Sequence, residues 1–586
     1  MKKFWLLVLV LSTGFRAQAD ALLTSWLTTY SGQYARVYTT TNNRNNGSSA
    51  TTWANQSLPV YADTAAVLSS TSWVYVRAAD LPSYVTGPWL NPQGVPGQFS
   101  PTNQHLINRF PRVPTSQAGT KTISGTGYSG LYVNGVAIFN FTDGKAWDPT
   151  NAAVVSGPHN QATYYWHRNA PVGEGFNFDY PLGHQNPAGV YHTHQQPIAL
   201  RYQLGDHVDY NSTTKNYAES TSTNLAHSPI MGWAYDGYPI YGPYGYSISN
   251  NAANGVRRMV SGYVQRDGKN GTDNLTNNLN TIPAWYARFR LAHFGGSYST
   301  TAPQARATVA GTNTLGTYGE DFSYYGDLTN SATGKAYVMG TNTFDLDEYN
   351  GRWCVTPEYP GGTYAYFLTV DASGTSAYPY AIAYEYYGAV SGGSVSAISE
   401  AVTTNFLGGP DAALKLNTPV VNSNYVVTLT WSSTEGGTYQ VESATNSSTW
   451  TVQKSGLGAT VGVSTTTNFT SSGATGTNYV RVLRTALASY DAVGGGTGII
   501  GQTNVQTWVV TAYVSGTNAV LGNATYSSGN FIFNLTGTSG ASYVIQTTTN
   551  LASGTWTPVY TNTAPFSFTN PGSTAYTQRF FRAVTP

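Results

Sequence analysis

Charged side chains are scarce in this sequence, because only 9% of its residues are Asp, Glu, Lys or Arg. Average globular proteins contain about 25%. The 28 basic and 27 acidic residues leave a formal net charge of +1. This balance excludes the dense basic surface that neutralises phosphates or anionic lipids. We therefore expect neither nucleic acid nor a membrane surface as a partner.

Cysteine is almost absent as well, because Cys354 is the only thiol in the chain. One thiol cannot close an intramolecular disulfide, so stability must come from burial and from any bound metal. Cys354 stands in a strand-like apolar stretch, and we interpret it as a small buried residue rather than a nucleophile. Hydrophobic residues at 40% and aromatic residues at 14% supply a core and exclude global disorder.

Apolar runs of the roughly 20 residues that span a bilayer are also lacking. The run from Phe4 to Phe15 is shorter; it follows two lysines and precedes the small-x-small site Ala17 to Ala19. This pattern is typical of a secretory signal peptide cleaved after residue 19. We expect a secreted protein that is extracellular, surface-attached or periplasmic, with no transmembrane segment after cleavage.

Glycine (62 residues) and proline (28) punctuate short alternating runs of Val, Tyr, Phe, Ile and Thr. Such runs are typical of antiparallel sheets. We predict a mainly β chain, with a large antiparallel β-sheet-rich N-terminal domain with few short helices, then two small β-sandwich modules. One helix is predicted where the mature chain begins. Its apolar residues, spaced three and four apart before Ser31-Gly32, are Leu22, Leu23, Trp26, Leu27 and Tyr30.

The C-terminal tail contains an internal repeat, in which residues 424–430 (NYVVTLT) are echoed by residues 530–536 (NFIFNLT). Each unit resembles the fibronectin-III or immunoglobulin-like modules that end many secreted bacterial proteins. Gly- and Ser-rich stretches separate the parts. The predicted segments are a signal peptide (1–19), a β-rich domain (20–390), a linker (391–411), a first module (412–490), a second linker (491–517) and a second module (518–586).

Histidine is concentrated in one region, because seven of the nine histidines fall between His159 and His227. In a strand, His192 and His194 share one face, so both imidazoles can bind one cation. Imidazole suits Zn, Cu, Fe and Ni, and one or two further ligands are needed. The candidates are His184, His227, Asp206 and Asp236. The alternative is that both histidines face water or satisfy backbone carbonyls.

Two further segments contain candidate acid/base residues. Asp236-Gly237 is first a hairpin signal, although an Asp at a hairpin tip can also accept a proton. Residues 345–352 hold Asp345, Asp347 and Glu348 before an Asn-Gly turn, and their order does not fit an EF-hand. They are candidates for an acid/base pair or for hard-cation ligands, against a structural role as partners of Arg352 and the turn backbone.

These three segments together resemble the YHYH domain family of secreted proteins. The resemblance rests on Tyr191-His192-Thr193-His194, on residues 227–243 and on residues 346–364, and it spans about 20–388. Thr193 occupies the position of the family's second Tyr. The resemblance implies one shared site and no established reaction. Signatures of serine hydrolases, zincins, kinases and Rossmann enzymes are absent from the sequence.

We therefore predict a secreted protein with a His-rich site for a divalent transition metal, preferably zinc or copper. The predicted ligands are His192 and His194, completed by His227 or His184. If the site is catalytic, Asp236 or Glu348 is the predicted acid/base. The first alternative is an extracellular carbohydrate-binding or adhesion protein whose exposed Tyr and Trp stack on a polysaccharide or cell-surface glycan. The second is a surface scaffold without a site.

Overall fold

The computed structural model describes most of the chain from residue 20 onward. The described residues are 20–28, 34–53, 56–58, 60–90, 100–341, 343–409, 414–422, 424–433, 437–446, 448–459, 464–471, 476–486, 503–510, 519–551, 554–572, 575 and 578–585. The predicted signal peptide therefore lies outside the described residues.

The chain is mainly β, as predicted. The strands of the N-terminal part are β1 (Arg36–Val37), β2 (Thr52–Trp53), β3 (Gln56–Ser57), β4 (Thr64–Ser69), β5 (Trp73–Ala78), β6 (Val85–Thr86), β7 (Leu106–Pro111), β8 (Tyr128–Tyr132), β9 (Ala137–Phe139), β10 (Thr142–Asp148), β11 (Ala153–Ser156), β12 (His167–Asn169), β13 (His184–Gln185), β14 (Tyr191–Thr193), β15 (Val208–Asn211), β16 (Asn216–Glu219), β17 (Ile230–Ala234), β18 (Pro239–Tyr241), β19 (Tyr244–Ile248), β20 (Asn251–Arg258), β21 (Tyr263–Gln265), β22 (Phe322–Tyr324), β23 (Gly351–Cys354), β24 (Thr363–Phe367), β25 (Gly393–Ser394) and β26 (Thr403–Leu407). Those of the C-terminal part are β27 (Val420–Val421), β28 (Val426–Ser432), β29 (Thr438–Ala444), β30 (Thr451–Gly458), β31 (Ser464–Thr470), β32 (Gly476–Ala486), β33 (Thr503–Val510), β34 (Val520–Ser527), β35 (Asn530–Thr536), β36 (Ser542–Thr548), β37 (Thr557–Thr563), β38 (Phe566–Asn570) and β39 (Phe580–Val584).

The helices are short, as the composition predicts. They are α1 (Ala21–Thr24), α2 (Thr41–Asn46), α3 (Ala170–Gly173), α4 (Ile198–Gln203) and α5 (Ala284–Phe294), with 3-10 turns at Gly175–Asn177, Gly319–Asp321 and Tyr325–Asp327. Within the described residues, none of them has the length and apolar character needed to cross a membrane.

The first helix is a single turn rather than the longer helix that the apolar spacing predicts. Asp20 caps α1 by accepting a hydrogen bond from the Leu22 amide, 3.1 Å. The helix ends at Ser25, and the Trp26 indole then donates to the Leu22 carbonyl at 2.7 Å. Trp26 packs on Phe110 of strand β7, with ring centroids 5.4 Å apart. Packing against the sheet therefore accounts for the apolar spacing.

An eight-stranded sheet forms the centre of the N-terminal part, in the order β13-β14-β9-β8-β17-β18-β24-β23. Its pairs are antiparallel, as predicted, except for β14 with β9 and β18 with β24, which are parallel. Every residue of β17 and β24 is buried. The sheet is therefore covered on both faces, which explains why its sequence contains apolar runs rather than strict alternation.

A second, five-stranded sheet has the order β25-β7-β5-β4-β26. Its first and last strands come from residues 393–394 and 403–407, inside the stretch predicted as a linker at 391–411. β26 pairs antiparallel with β4, from Thr403 opposite Ser69 to Leu407 opposite Ala66. Much of the predicted linker is therefore part of the N-terminal fold.

Each half of the C-terminal tail forms two small sheets around an apolar core. The first half has the sheets β27-β28-β31 and β30-β29-β32-β33, with Trp431 and Tyr439 buried between them. The second has β34-β35-β38 and β37-β36-β39, with Phe533 and Ile545 buried. The repeated segments form β28 and β35, the middle strands of corresponding sheets. β33 lies in the stretch predicted as the linker 491–517.

Candidate metal centre

A tight hairpin places two of the predicted ligands side by side. β13 and β14 are antiparallel, with His184 directly opposite His192. Side chains that face each other in this way lie about 5 Å apart, and the two ring centroids are 4.5 Å apart. His194 follows two residues after His192, and its ring centroid lies 4.9 Å from that of His192. One hairpin thus delivers three imidazoles to one point.

The nitrogen atoms of these three rings converge. One ligand nitrogen from each of His184, His192 and His194 lies within 4.8 Å of the other two. The Nε2 atoms of His192 and His194 are 3.2 Å apart. All three side chains are buried, with relative exposures of 4%, 2% and 2%. Within the part of the chain that the structure describes, this is the one such group of three potential metal ligands.

Backbone carbonyls determine which nitrogen of each ring bears the proton. His192 Nδ1 lies 3.0 Å from the Val190 carbonyl oxygen, and His194 Nδ1 lies 2.5 Å from that of Asn140. A carbonyl only accepts, so both Nδ1 atoms must donate. In the neutral rings the lone pairs are then on Nε2. Two lone pairs facing each other at 3.2 Å require a proton or a cation between them.

Glu174 adds a carboxylate to the same group. It lies directly after α3 at the end of a short turn, and its Oε2 is 3.5 Å from His184 Nε2 and 3.5 Å from His194 Nε2. Glu174 is also the most solvent-accessible member, with 27% of its side chain exposed. His184 Nε2 is buried without a hydrogen bond. The four side chains therefore present three nitrogens and one oxygen to a common space.

Three of the donor separations can be compared with those of a tetrahedral metal site. Zinc binds imidazole nitrogen at about 2.0–2.1 Å, so neighbouring donors around a tetrahedral ion are about 3.3 Å apart. The His192–His194 separation is 3.2 Å, and the two separations to Glu174 are 3.5 Å. Three of the donor separations thus agree with this value. The buried, unpartnered Nε2 of His184 is the orphaned polar atom that such an ion would satisfy.

Burial keeps the imidazoles in the form that binds metal. It lowers the pKa of His184 to about 3, with the charge of His194 acting in the same direction. Burial likewise lowers the pKa of His192 well below its usual value, and the charges of His184 and His194 lower it further. Burial raises the pKa of Glu174, but hydrogen bonding and charge from His194 outweigh this, so the net pKa is lowered. Neutral imidazoles and an ionised carboxylate are the ligand forms.

Aromatic rings enclose the group, while one side opens to a cleft of about 550 Å³. Phe139 stacks on His192 with centroids 3.9 Å apart, and Phe178 lies edge-on to His184 at 4.7 Å. Asp143 and Lys145 line the cleft beyond Glu174. An ion at this point would be shielded from behind and accessible to an external ligand from the cleft.

Residues 108–378 match the family model described as YHYH protein. This region is narrower than the 20–388 that the sequence resemblance predicts, and it contains all three histidines and Glu174. No curated protein matches the chain. Among solved structures, the crystal structure of chicken CNTN1 FN1-FN3 domains matches with 11% sequence identity and a TM-score of 0.17, covering 43% of this chain and 84% of that chain. So low a score leaves the fibronectin-III likeness of the tail a prediction.

Within the YHYH-matching region, His227 does not join the other three histidines. It precedes β17, and β9 and β8 lie between β14 and β17 in the sheet. Three strand spacings separate the two places by about 14 Å. The His227 ring packs on Tyr241 and Tyr246, and its Nδ1 lies 2.8 Å from the Ser228 carbonyl oxygen. The structure therefore groups His184, and not His227, with His192 and His194.

Asp236 also lies elsewhere, at the predicted hairpin turn between β17 and β18. It is fully buried, and its Oδ2 accepts hydrogen bonds from the Tyr366 hydroxyl at 2.6 Å and the Gly388 amide at 2.9 Å. Burial raises its pKa to about 6, although these bonds act in the opposite direction. Asp236 does not line the cleft. Asp236 therefore links its own turn to the segments that contain Tyr366 and Gly388. This position does not fit the predicted role as an acid/base beside the histidines.

Glu348 is likewise absent from the cleft. Its Oε2 accepts a hydrogen bond from Arg288 Nη2 of α5 at 2.9 Å. Its neighbour Asp347 accepts bonds from the Tyr349 and Gly351 amides and thereby stabilises the turn. The structural alternative considered for this acidic segment therefore describes it better than an acid/base role at the histidines.

Sequence reasoning missed Glu174, because no motif marks it. The only available signal was a carboxylate inside the His-rich stretch of a chain with few charges. Two further histidines of that stretch form a separate buried contact, in which His167 Nδ1 lies 2.7 Å from Glu320 Oε1 and the His159 ring stands 6.3 Å from that of His167. Only three of the seven histidines in this stretch therefore form the candidate metal group among the described residues.

Proposed function

We propose that the protein binds one divalent transition metal ion through the Nε2 atoms of His184, His192 and His194, with the Glu174 carboxylate beside the ion. The observation that supports this most directly is the 3.2 Å separation of two Nε2 atoms whose rings both donate through Nδ1 to carbonyls. A cation between the lone pairs turns this repulsion into coordination. Three imidazoles favour zinc or copper over the hard cations.

A metal held by three histidines would keep a position for an external ligand and would supply Lewis-acid chemistry there. In this site Glu174 is the residue suited to take up a proton, because its oxygen faces both the histidines and the cleft. The Val190 and Asn140 carbonyls hold the rings of His192 and His194 in one orientation. We therefore propose metal-assisted attack by water as the class of reaction, with Glu174 as the base.

Elemental analysis of the purified full-length protein tests the proposal. We expect about one equivalent of zinc or copper per chain, and a loss of nearly all of it in His192→Ala/His194→Ala. His207→Ala is the matched control, because its ring packs on Tyr244 outside the group. Metal far below one equivalent, or an equal content in the double variant, would contradict the proposal.

We further propose that the protein is exported. The support is the apolar run at residues 4–15 followed by a small-x-small site. Mass spectrometry of protein recovered outside the cytoplasm is expected to find Asp20 as the first residue. Recovery of the uncleaved chain from the cytoplasm would contradict this.

A further inference from the structure

A second pocket, of about 290 Å³, is lined in part by Tyr180 and Pro181, which precede His184 in the chain. We call it the tyrosine–arginine pocket. It is lined by Arg36, Tyr38, Arg44, Gly47, Val85, Tyr180, Pro181, Tyr210, Lys215 and Tyr217. Three of these residues are cationic, four are tyrosines and none is a carboxylate. In a chain with only 9% charged residues, three cations around one pocket are a marked concentration.

One wall of the pocket is the hairpin of β15 and β16. Tyr210 and Tyr217 stand directly opposite each other on its two strands, with ring centroids 4.9 Å apart. Lys215 lies in the turn, where it adopts a positive φ of 58°. The hairpin thus presents two aromatic rings and one ammonium group to the same space.

Arg44 of α2 holds this hairpin in place. Its Nη1 donates to the Thr214 carbonyl at 3.3 Å, and its Nη2 donates to Asn216 Oδ1 at 3.1 Å and to the Lys215 carbonyl. The guanidinium also lies 3.4 Å over the Tyr180 ring. Arg44 is therefore a positioning residue that joins α2, the hairpin and Tyr180 into one rigid pocket.

Arg36 and Lys215 are the cations left for a ligand. The hydrogen bond that Arg36 makes runs from Nη2 to the Ser83 carbonyl at 3.1 Å, and its Nε is buried without a partner. Among the described residues, neither cation has a carboxylate partner, whereas Arg201, Arg257 and Arg306 each form an ion pair. Guanidinium groups normally satisfy their donors when they are buried.

Asp179, the buried carboxylate directly before the pocket residue Tyr180, makes its hydrogen bonds to other groups. It accepts hydrogen bonds from the Gly87 and Gly183 amides at 3.0 and 2.9 Å, and from the Tyr191 hydroxyl. It acts on Arg44 through its charge but does not line the pocket. The charges of Arg36 and Lys215 are the ones left for an external anion to neutralise.

We propose that the tyrosine–arginine pocket binds a sugar ring that carries a carboxylate or a sulfate. Arg36 and Lys215 bind the anionic group, and the faces of Tyr210 and Tyr217 pack on the ring. Arg–carboxylate and Arg–sulfate contacts are strong because both partners are charged, and tyrosine supplies a rigid apolar face with a polar tip. This gives the carbohydrate-binding alternative a defined location, independent of any metal.

Calorimetric titration of the full-length protein tests the proposal with three ligands: tetragalacturonate, a sulfated galactose tetrasaccharide and maltotetraose. We expect at least one anionic ligand to bind and maltotetraose not to bind. Binding should weaken as salt is raised from low to high concentration, since it depends on two charges that are partly exposed to solvent. In Arg36→Gln/Lys215→Gln we expect affinity to fall about tenfold or more.

Lys335→Gln is the matched control, because Lys335 is exposed and outside the pocket. It removes one positive charge, and its affinity should stay within about twofold of the parent. Binding of the carboxylate ligand alone, or of the sulfate ligand alone, supports the proposal and identifies the anion. Failure of both anionic ligands, equal binding of maltotetraose, or unchanged affinity in the double variant would overturn it.

Discussion

His184 faces His192 across the β13–β14 pair, and their ring centroids are 4.5 Å apart. With His194 two residues further on, three of the proposed ligands come from 11 consecutive residues. Because the strand pairing already fixes their side chains, little conformational entropy is lost when an ion binds. The hairpin register is thus the feature on which the metal proposal depends most.

Metal binding should stabilise the fold measurably. A ligand at about 1,000 times its dissociation constant adds about 4 kcal/mol to the free energy of unfolding. We expect a chelator to lower the melting temperature of the parent protein and to have little effect on His184→Gln. Thermal unfolding with and without chelator measures this. An equal chelator effect in both proteins would show that the ion binds elsewhere.

Glu174→Gln tests how the charge of Glu174, as distinct from its size, contributes beside the three histidines. The substitution keeps the side-chain size but removes the negative charge that lies 3.5 Å from His184 and His194 Nε2. We expect the metal content to stay near one equivalent while metal affinity falls about tenfold or more. Competition with a chelator of known affinity measures the change. Unchanged affinity would place Glu174 outside the metal group.

Asp236 should make stability depend on pH. Its pKa is raised by burial to about 6 in the folded protein, against an ordinary value of 3.8. Below about pH 3 the carboxyl is protonated in both states. As the pH rises from about 3 to 7 the unfolded chain ionises first, so the free energy of unfolding falls by about 3 kcal/mol.

Asp236→Asn should remove this contribution. Urea unfolding at pH 4 and pH 7 measures it as the difference between parent and variant. The raised pKa values of Asp179 and Asp347, both about 7, act in the same direction in both proteins and cancel in the comparison. Identical pH dependence in the two proteins would contradict the role assigned to Asp236.

A buried ion pair should be costly to break. Arg306 Nε and Asp321 Oδ1 are 2.5 Å apart, and both side chains are fully inaccessible to solvent. Arg306→Met leaves a buried carboxylate without its partner, so we expect a loss of about 3–5 kcal/mol. The double variant Arg306→Met/Asp321→Leu should lose less than Arg306→Met alone, because no charge is stranded. Urea unfolding checks the order of the two losses.

The fold class could be predicted from the sequence because glycine, proline and β-branched residues favour turns or strands at their own positions in the chain. Alternation and turn signals predicted strands, and the repeat at residues 424–430 and 530–536 predicted two alike modules. The helix at Leu22 was predicted too long, because residues that pack Trp26 against the sheet have the same spacing as a helical face. Residues 403–407 were predicted as part of a linker, because their pairing with residues as distant as Ser69 produces no recognisable pattern in the sequence around them.

The candidate site could be predicted in part for the same reason. His192 and His194 share a strand face, and the period of two is a local property. His184 lies beside them because of the register of the β13–β14 hairpin. His227 lies apart from the three because of the order of strands in the sheet. Glu174 reaches the histidines through the turn after α3. These are tertiary relations, which spacing in a single sequence does not encode.

The pairing of β26 with β4 determines where the N-terminal part can be cut. A fragment that stopped at residue 390 would keep His184, His192, His194 and Glu174 but lose both outer strands of the five-stranded sheet. The backbone N–H and C=O groups along residues 66–69 would then be exposed as an open edge, which invites pairing between molecules. A fragment that is to keep this edge covered must therefore extend past Leu407.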